Sequence, residues 1–141
     1  MISVSVLLVD DSPTFLRIAA RFLGGYEDVA VVGTVQQGAE ALPRAQQLRP
    51  DVVLVDLAMP DVPGLVAIPQ LRAALPTLGI IAVSLFDAPA YRQAALGAGA
   101  DAFVPKAALS TELLPAIRRL RSSRPVRADD QQNADEGKRE G

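Results

Sequence analysis

Apolar residues come in short, evenly spaced runs along this chain, separated by turn formers and helix-start signals. Val4–Val9, Val29–Val35, Val52–Val55, Gly79–Leu85 and Ala102–Pro105 are rich in β-branched and aliphatic residues and read as strands. The stretches between them carry apolar residues at helical spacing. In the first, Phe15, Ile18, Ala19, Phe22 and Leu23 form the apolar stripe. Ser12 is its N-cap, Pro13 its first helical residue and Gly24-Gly25 its stop. Further helices are predicted over Gly38–Leu48, Leu65–Leu75 and Ala90–Ala98. A last helix begins at Ser110, with Leu113, Leu114, Ile117 and Leu120 as its buried stripe. Pro43, Pro69 and Pro115 fall inside these helices. An interior proline costs about 3 kcal/mol, so each is placed near the start of its helix.

Five strand–helix units in strict alternation imply a parallel sheet with right-handed crossovers and helices on both faces. Val52–Val55 contains no polar residue, which marks a strand buried on both sides. Asp56 follows it, and the prolines and glycine of Ala58-Met-Pro-Asp-Val-Pro-Gly64 then break any regular structure. Asp56 thus sits at the carboxyl edge of the sheet, where open α/β folds bind ligands. One domain is expected over residues 1–121. From Ser122 to Gly141 the chain loses apolar periodicity and becomes rich in charge, so a disordered tail is expected.

Composition removes several kinds of chemistry. The 141 residues include no Cys and no His, which excludes thiolate or imidazole metal sites, cysteine nucleophiles and phosphohistidine chemistry on this chain. The net charge of −2 gives no electrostatic reason to expect nucleic acid or an anionic membrane as a partner. The run Val4–Val9 ends in two acids, unlike a signal peptide, and no stretch approaches a membrane span. A cytoplasmic protein is expected.

If the sheet is parallel, one edge gathers Asp10 and Asp11 after the first strand, Asp56 after the third, Ser84 on the fourth and Lys106 after the fifth. Carboxylates in contact repel by about 4 kcal/mol per pair at an effective dielectric near 20. A cation relieves that repulsion, and hard oxygen ligands suit Mg²⁺. A lysine and a hydroxyl beside the acids can bind phosphoryl oxygens, and Asp56 in the middle can act as a carboxylate nucleophile.

These residues resemble a family. Val-Asp-Asp-Ser at 9–12, Val-Asp-Leu-Ala-Met-Pro-Asp at 55–61 with Gly64, Ala-Val-Ser at 82–84 and Phe-Val-Pro-Lys at 103–106 are similar to bacterial response-regulator receiver domains over residues 3–121. The resemblance implies a doubly wound five-stranded parallel sheet in the flavodoxin-like order 2-1-3-4-5. It implies Asp56 as phosphoacceptor, and Mg²⁺ held by Asp11, Asp56 and the backbone carbonyl of Ala58, with Asp10 orienting the metal's waters. Lys106 would pair with the phosphoryl group, while Ser84 and Phe103 would be a switch pair in which Ser84 moves inward and lets Phe103 rotate in. Ala58 and Phe86 would flank the path of the hydrolytic water and set the lifetime of the phosphorylated state. The implied partners are a sensor histidine kinase or phosphotransfer protein and a downstream protein target. Ala102 stands where many relatives carry an acid used in dimerisation, so a monomer or weak homodimer is expected. Too few residues follow Leu120 for a helix-turn-helix, so direct DNA binding is not expected. The protein is expected to be a switch that assists its own phosphorylation rather than a metabolic enzyme.

Each residue alone has a plainer reading: a turn acid, a strand-end hydroxyl, a solvated lysine, a core aromatic. A flavin carrier of similar architecture would need an uncharged phosphate-binding loop where Asp10 and Asp11 stand. Haloacid-type phosphatases place a second Asp where this chain has Ala58. A Gly-x-Gly-x-x-Gly dinucleotide motif and a cobalamin-binding histidine are missing. The remaining alternative is a pseudo-receiver that docks partners without being phosphorylated.

Overall fold

The computed structural model describes residues 3–123. The chain alternates β1 (Val4–Val9), α1 (Pro13–Leu23), β2 (Val29–Val35), α2 (Ala41–Leu48), β3 (Val52–Asp56), α3 (Gly64–Ala74), β4 (Gly79–Ser84), α4 (Pro89–Ala98), β5 (Ala102–Pro105) and α5 (Leu109–Ser123). Single turns of 3₁₀ helix, Gly38–Glu40 and Lys106–Ala108, lead into α2 and α5. The sheet order is β2-β1-β3-β4-β5 and every pairing is parallel, as the alternation and the resemblance imply.

The pleat divides the core in two. Val6 and Leu8, Val52 and Leu54, Ile81 and Val83 point to the α1 and α5 side, where Leu16, Leu23, Leu113 and Ile117 meet them. Their neighbours Leu7 and Val9, Val53 and Val55, Ile80 and Ala82 point to the other side, against Ile68, Leu71 and Ala95. All five residues of β3 are buried, because it is the central strand with a helical layer on each face.

Three details correct the sequence reading. Pro43 does lie in the first turn of α2, but Pro69 is the sixth residue of α3 and Pro115 the seventh of α5. Both rings lie on exposed positions, as do Leu65 and Thr111 four residues earlier, so the carbonyls robbed of an N–H partner lie on the solvent side. Ile18 is 54% exposed, and Leu16 takes its place in the buried stripe with Ala19 and Leu23. The i, i+3, i+7 line through Leu16 faces the sheet, and Ile18 lies well off it. Helix α5 continues through Ser122 and Ser123, past the expected boundary. The rest of the expected tail, residues 124–141, lies outside the described residues.

The loop after β3 is closed by two glycines. The Gly64 amide donates to the Leu57 carbonyl at 3.1 Å, and a Cβ on Gly64 would collide with the Asp56 carbonyl and stand 2.8 Å from the Leu57 Cα. A Cβ on Gly38 would likewise run into the Val62 carbonyl. Asp61 braces the same loop, accepting from the amides of Gly38 at 2.9 Å and Ala39 at 3.0 Å. Those two amide bonds hold the Asp61 carboxyl below its ordinary pKa. Gly64→Ala is expected to lose about 1–3 kcal/mol of stability, because backbone rather than a side-chain tip would have to move. Urea unfolding measures it, and a wild-type midpoint would refute the close approach.

Candidate functional site

Strand ends position every acid of the site. Asp10 follows β1, its amide bonded to the Val35 carbonyl at 2.9 Å, so the sheet ladder holds its backbone. Its Oδ1 accepts from the Ser12 amide at 2.8 Å, and Ser12 Oγ in turn accepts from the Phe15 amide at 3.2 Å. The predicted N-cap of α1 is therefore also a support for the acid. Asp56 closes β3 opposite Val83, with its Oδ1 accepting from the Ala58 amide at 3.2 Å. Asp10 and Asp56 are buried, at 1% and 3% exposure, while Asp11 is open to solvent.

Carboxylate oxygens of Asp10, Asp11 and Asp56 all lie within 4.8 Å of one another. Lys106, on the turn after β5, places its Nζ 2.7 Å from Asp10 Oδ2 and 3.6 Å from Asp56 Oδ2. Asp10 Oδ2 nevertheless has no aligned hydrogen-bond donor, so its contact with Lys106 is one of charge. Three hard oxygens in one cluster, one of them buried and without a hydrogen-bond donor, form a group that could hold a metal cation.

Burial pushes the Asp56 pKa above its ordinary value, and the Asp10 charge and a shared contact with Asp11 push the same way. Lys106 and the Ala58 amide oppose the rise without cancelling it. The negative charge on Asp56 is thus held at a cost that one lysine only partly offsets.

The other predicted residues lie around this cluster. Ser84, 1% exposed, ends β4 beside it, with its Oγ accepting from the Phe86 amide at 3.0 Å. Phe103 is already inside, 3% exposed, with the Arg92 guanidinium 5.0 Å from its ring centroid. The expected outward starting position of Phe103 is therefore not found. Ala82, which pairs with it across β4 and β5, leaves room for the ring on that face. Ala58 is exposed next to Asp56. Phe86 is 56% exposed and stacks on Tyr91, centroids 5.5 Å apart, rather than lying in the core. The sequence reading missed the Asp61 brace, the Arg92 lid on Phe103 and the approach of Phe15 to Lys106 at 4.4 Å. Only Asp61 left a trace, as the last acid of the motif after Asp56.

The raised pKa of Asp56 makes a pH prediction. The folded chain holds this proton more tightly than the unfolded chain, so this group's contribution is most favourable below the unfolded value of 3.8 and is lost as pH rises through the folded value. Asp56→Asn is expected to raise the melting temperature of the metal-free protein at neutral pH, with the gain shrinking as pH falls toward 3.8. Thermal melts of both proteins across pH, in EDTA, measure it. A variant less stable than wild type at neutral pH would show that Asp56 is not under strain.

Comparison with known proteins agrees with this geometry. The family model described as the response regulator receiver domain matches residues 6–118. Response regulator GacA of Pseudomonas viridiflava is 35% identical over 115 residues, covering 82% of this chain and 54% of that protein. Response regulator protein VraR of Staphylococcus aureus is 33% identical over 119 residues, with 83% and 56% covered. The chain therefore spans about half the length of these curated relatives. Among solved structures, the response regulator domain of Thermotoga maritima CheB superposes with a TM-score of 0.80 at 29% identity, covering 87% of this chain and 99% of that one. The isolated REC domain of RcsB from Salmonella enterica serovar Typhimurium, solved with the phosphomimetic BeF₃⁻, gives 0.79 at 27% identity, with 86% and 90% covered. Matched from β1 into α5 by the family model and sharing the five-stranded parallel fold of its structural neighbours, this chain belongs to the response regulator receiver domain family of bacterial two-component systems.

Proposed function

We propose that Asp56 is the phosphoacceptor of a phosphorelay switch. The observation that carries this is the Lys106 ammonium set between Asp10 and Asp56, at the edge of a three-carboxylate cluster, on a strand end beside the Ser84 hydroxyl. An Asp56 oxygen attacks phosphorus, and a new O–P bond forms as the bond to the donor's imidazole nitrogen or acyl oxygen breaks and its electrons leave with the donor. Lys106 meets the charge on the transferred group, and the Ala58 amide keeps one Asp56 oxygen directed. Asp11, Asp56 and the Ala58 carbonyl would hold Mg²⁺, with Asp10 orienting the metal's waters, and the ion would supply positive charge to the phosphoryl oxygens when bound.

The donor is a sensor histidine kinase or phosphotransfer protein, and the output is a changed protein surface around α4, β5 and α5 read by a downstream protein. The chain assists its own phosphorylation without turning over a metabolite. RcsB, a structural neighbour, has been solved bound to promoter DNA. Here the receiver's own charge offers no such contact, and a monomer or weak homodimer with a protein partner is the fitting form. Among the described residues no helix is long and apolar enough to cross a membrane, in keeping with cytoplasmic signalling.

Labelling with acetyl phosphate tests the reading against that of a pseudo-receiver: wild type takes up phosphate only with Mg²⁺, and Asp56→Asn takes up none. In thermal melts, millimolar Mg²⁺ raises the wild-type midpoint by mass action. Asp11→Ala is expected to stay folded and lose that rise. Equal protection of both proteins would remove Asp11 from the metal site.

Lifetime of the phosphorylated state is the second expectation. Ala58 brings no polar atom on its side chain to orient an attacking water, and positioning of a reactant is worth several kcal/mol of barrier. Phosphate on wild type is expected to decay slowly, and Ala58→Asn with Phe86→Glu to speed the decay severalfold. Most of that gain should come from Ala58→Asn, since the Phe86 ring is occupied with Tyr91. Decay of radiolabelled protein, compared with EDTA present, measures this, and equal half-lives refute it.

A further inference from the structure

Lys106 has a third neighbour beyond its two carboxylates. Its Nζ stands 4.4 Å from the centroid of the Phe15 ring. The side chain of Lys106 is only 12% exposed, so little of it is left to water. Phe15 is held from two directions. Its amide donates to Ser12 Oγ at 3.2 Å, and its ring packs at the edge of the core formed with α5. The Ser12 amide donates to Asp10 Oδ1 at 2.8 Å, so one short segment delivers both a carboxylate and an aromatic face to the same ammonium.

The geometry points to Phe15 as a positioning residue for Lys106, its ring face holding the ammonium between Asp10 and Asp56 where a phosphoryl oxygen would arrive. This rests on the reading of Lys106 as the phosphoryl partner. Two carboxylates attract a lysine strongly only while their own charge is uncompensated. A divalent cation in the acid cluster would weaken that attraction, whereas the quadrupole of a neutral ring remains. Lysine is a flexible four-carbon chain with many rotamers, and it needs such a hold to stay in one place. An aliphatic residue in place of Phe15 could fill the same edge of the core but would not attract the ammonium.

The test separates ring electrostatics from packing. Phenylalanines with one, two or three fluorines are placed at position 15 of the full chain, which drains the ring face while nearly keeping its shape. Acetyl phosphate labelling rate and beryllofluoride affinity are measured with Mg²⁺, alongside Phe15→Leu, Phe15→Tyr and Lys106→Met. Both quantities are expected to fall stepwise with each fluorine, to drop about three- to tenfold in Phe15→Leu and to recover in Phe15→Tyr. Melting temperature and Mg²⁺ affinity should stay level through the fluorinated series. In the metal-free protein, the Lys106 methylene protons next to Nζ should show upfield ring-current shifts that Phe15→Leu abolishes. Impaired labelling in Lys106→Met together with constant labelling across the fluorinated series overturns the role of Phe15. Wild-type labelling in Lys106→Met overturns the assignment of Lys106 itself, and the proposal with it.

Discussion

Three carboxylates crowded at the carboxyl edge of a buried sheet are the constraint around which the rest is arranged. Asp10 and Asp56 are nearly sealed from water, and Asp56 binds its proton more tightly than a free carboxyl would. Left alone, such a cluster would favour opening of the fold or neutralisation of an acid. Lys106 offsets part of the repulsion, and the remainder is a charge imbalance that a cation in the cluster would relieve. Stability is thus given up locally, at the carboxyl edge of the sheet where open α/β folds bind ligands.

Holding that arrangement requires rigid neighbours. Asp10 hangs on the sheet ladder through Val35 and on the α1 cap through Ser12. Asp56 sits on the central strand, and the loop after it is closed by the tight contact of Gly64 with the strand end. Asp61 reaches across to Gly38 and Ala39, so the loops after β2 and β3 move together. On the far side Arg72 bonds to the carbonyls of Gly99, Pro76 and Leu78 and pairs with Asp101, locking the turn between α4 and β5 to the α3–β4 corner. Asp28 and Arg118 do the same between β2 and α5 at 3.0 Å, and their hydrogen bond holds the Asp28 carboxyl below its ordinary pKa. The Arg72 and Arg118 braces lie outside the acid cluster.

The surface around α4 is different in character. Leu85, Phe86, Tyr91 and Leu96 are exposed there, and the strand beneath them carries Phe103. Phe103 is buried under the Arg92 side chain, so its ring lies against α4. A change at the Ser84 end of β4 would thus reach that surface through adjacent strands, within one sheet and over a short distance.

The sequence alone determined the order of elements and the edge on which the acids meet. A fully apolar β3 can lie only in the middle of a two-faced sheet, and strict alternation of strand and helix makes the strands parallel, so Asp10, Asp56, Ser84 and Lys106 had to converge. Ser12 as N-cap and the β5 span Ala102–Pro105 were legible because capping and strand propensity are local effects. Side-chain orientation was not. The burial of Leu16 in place of Ile18 depends on how α1 rolls against the sheet, and the interior positions of Pro69 and Pro115 depend on which side of each helix meets solvent. The ring of Phe15 over Lys106, the inward Phe103 and the outward stack of Phe86 on Tyr91 belong to the tertiary structure for the same reason. Each is a contact or exposure set by packing between elements distant in the chain or by the course of a loop, which short-range periodicity does not encode.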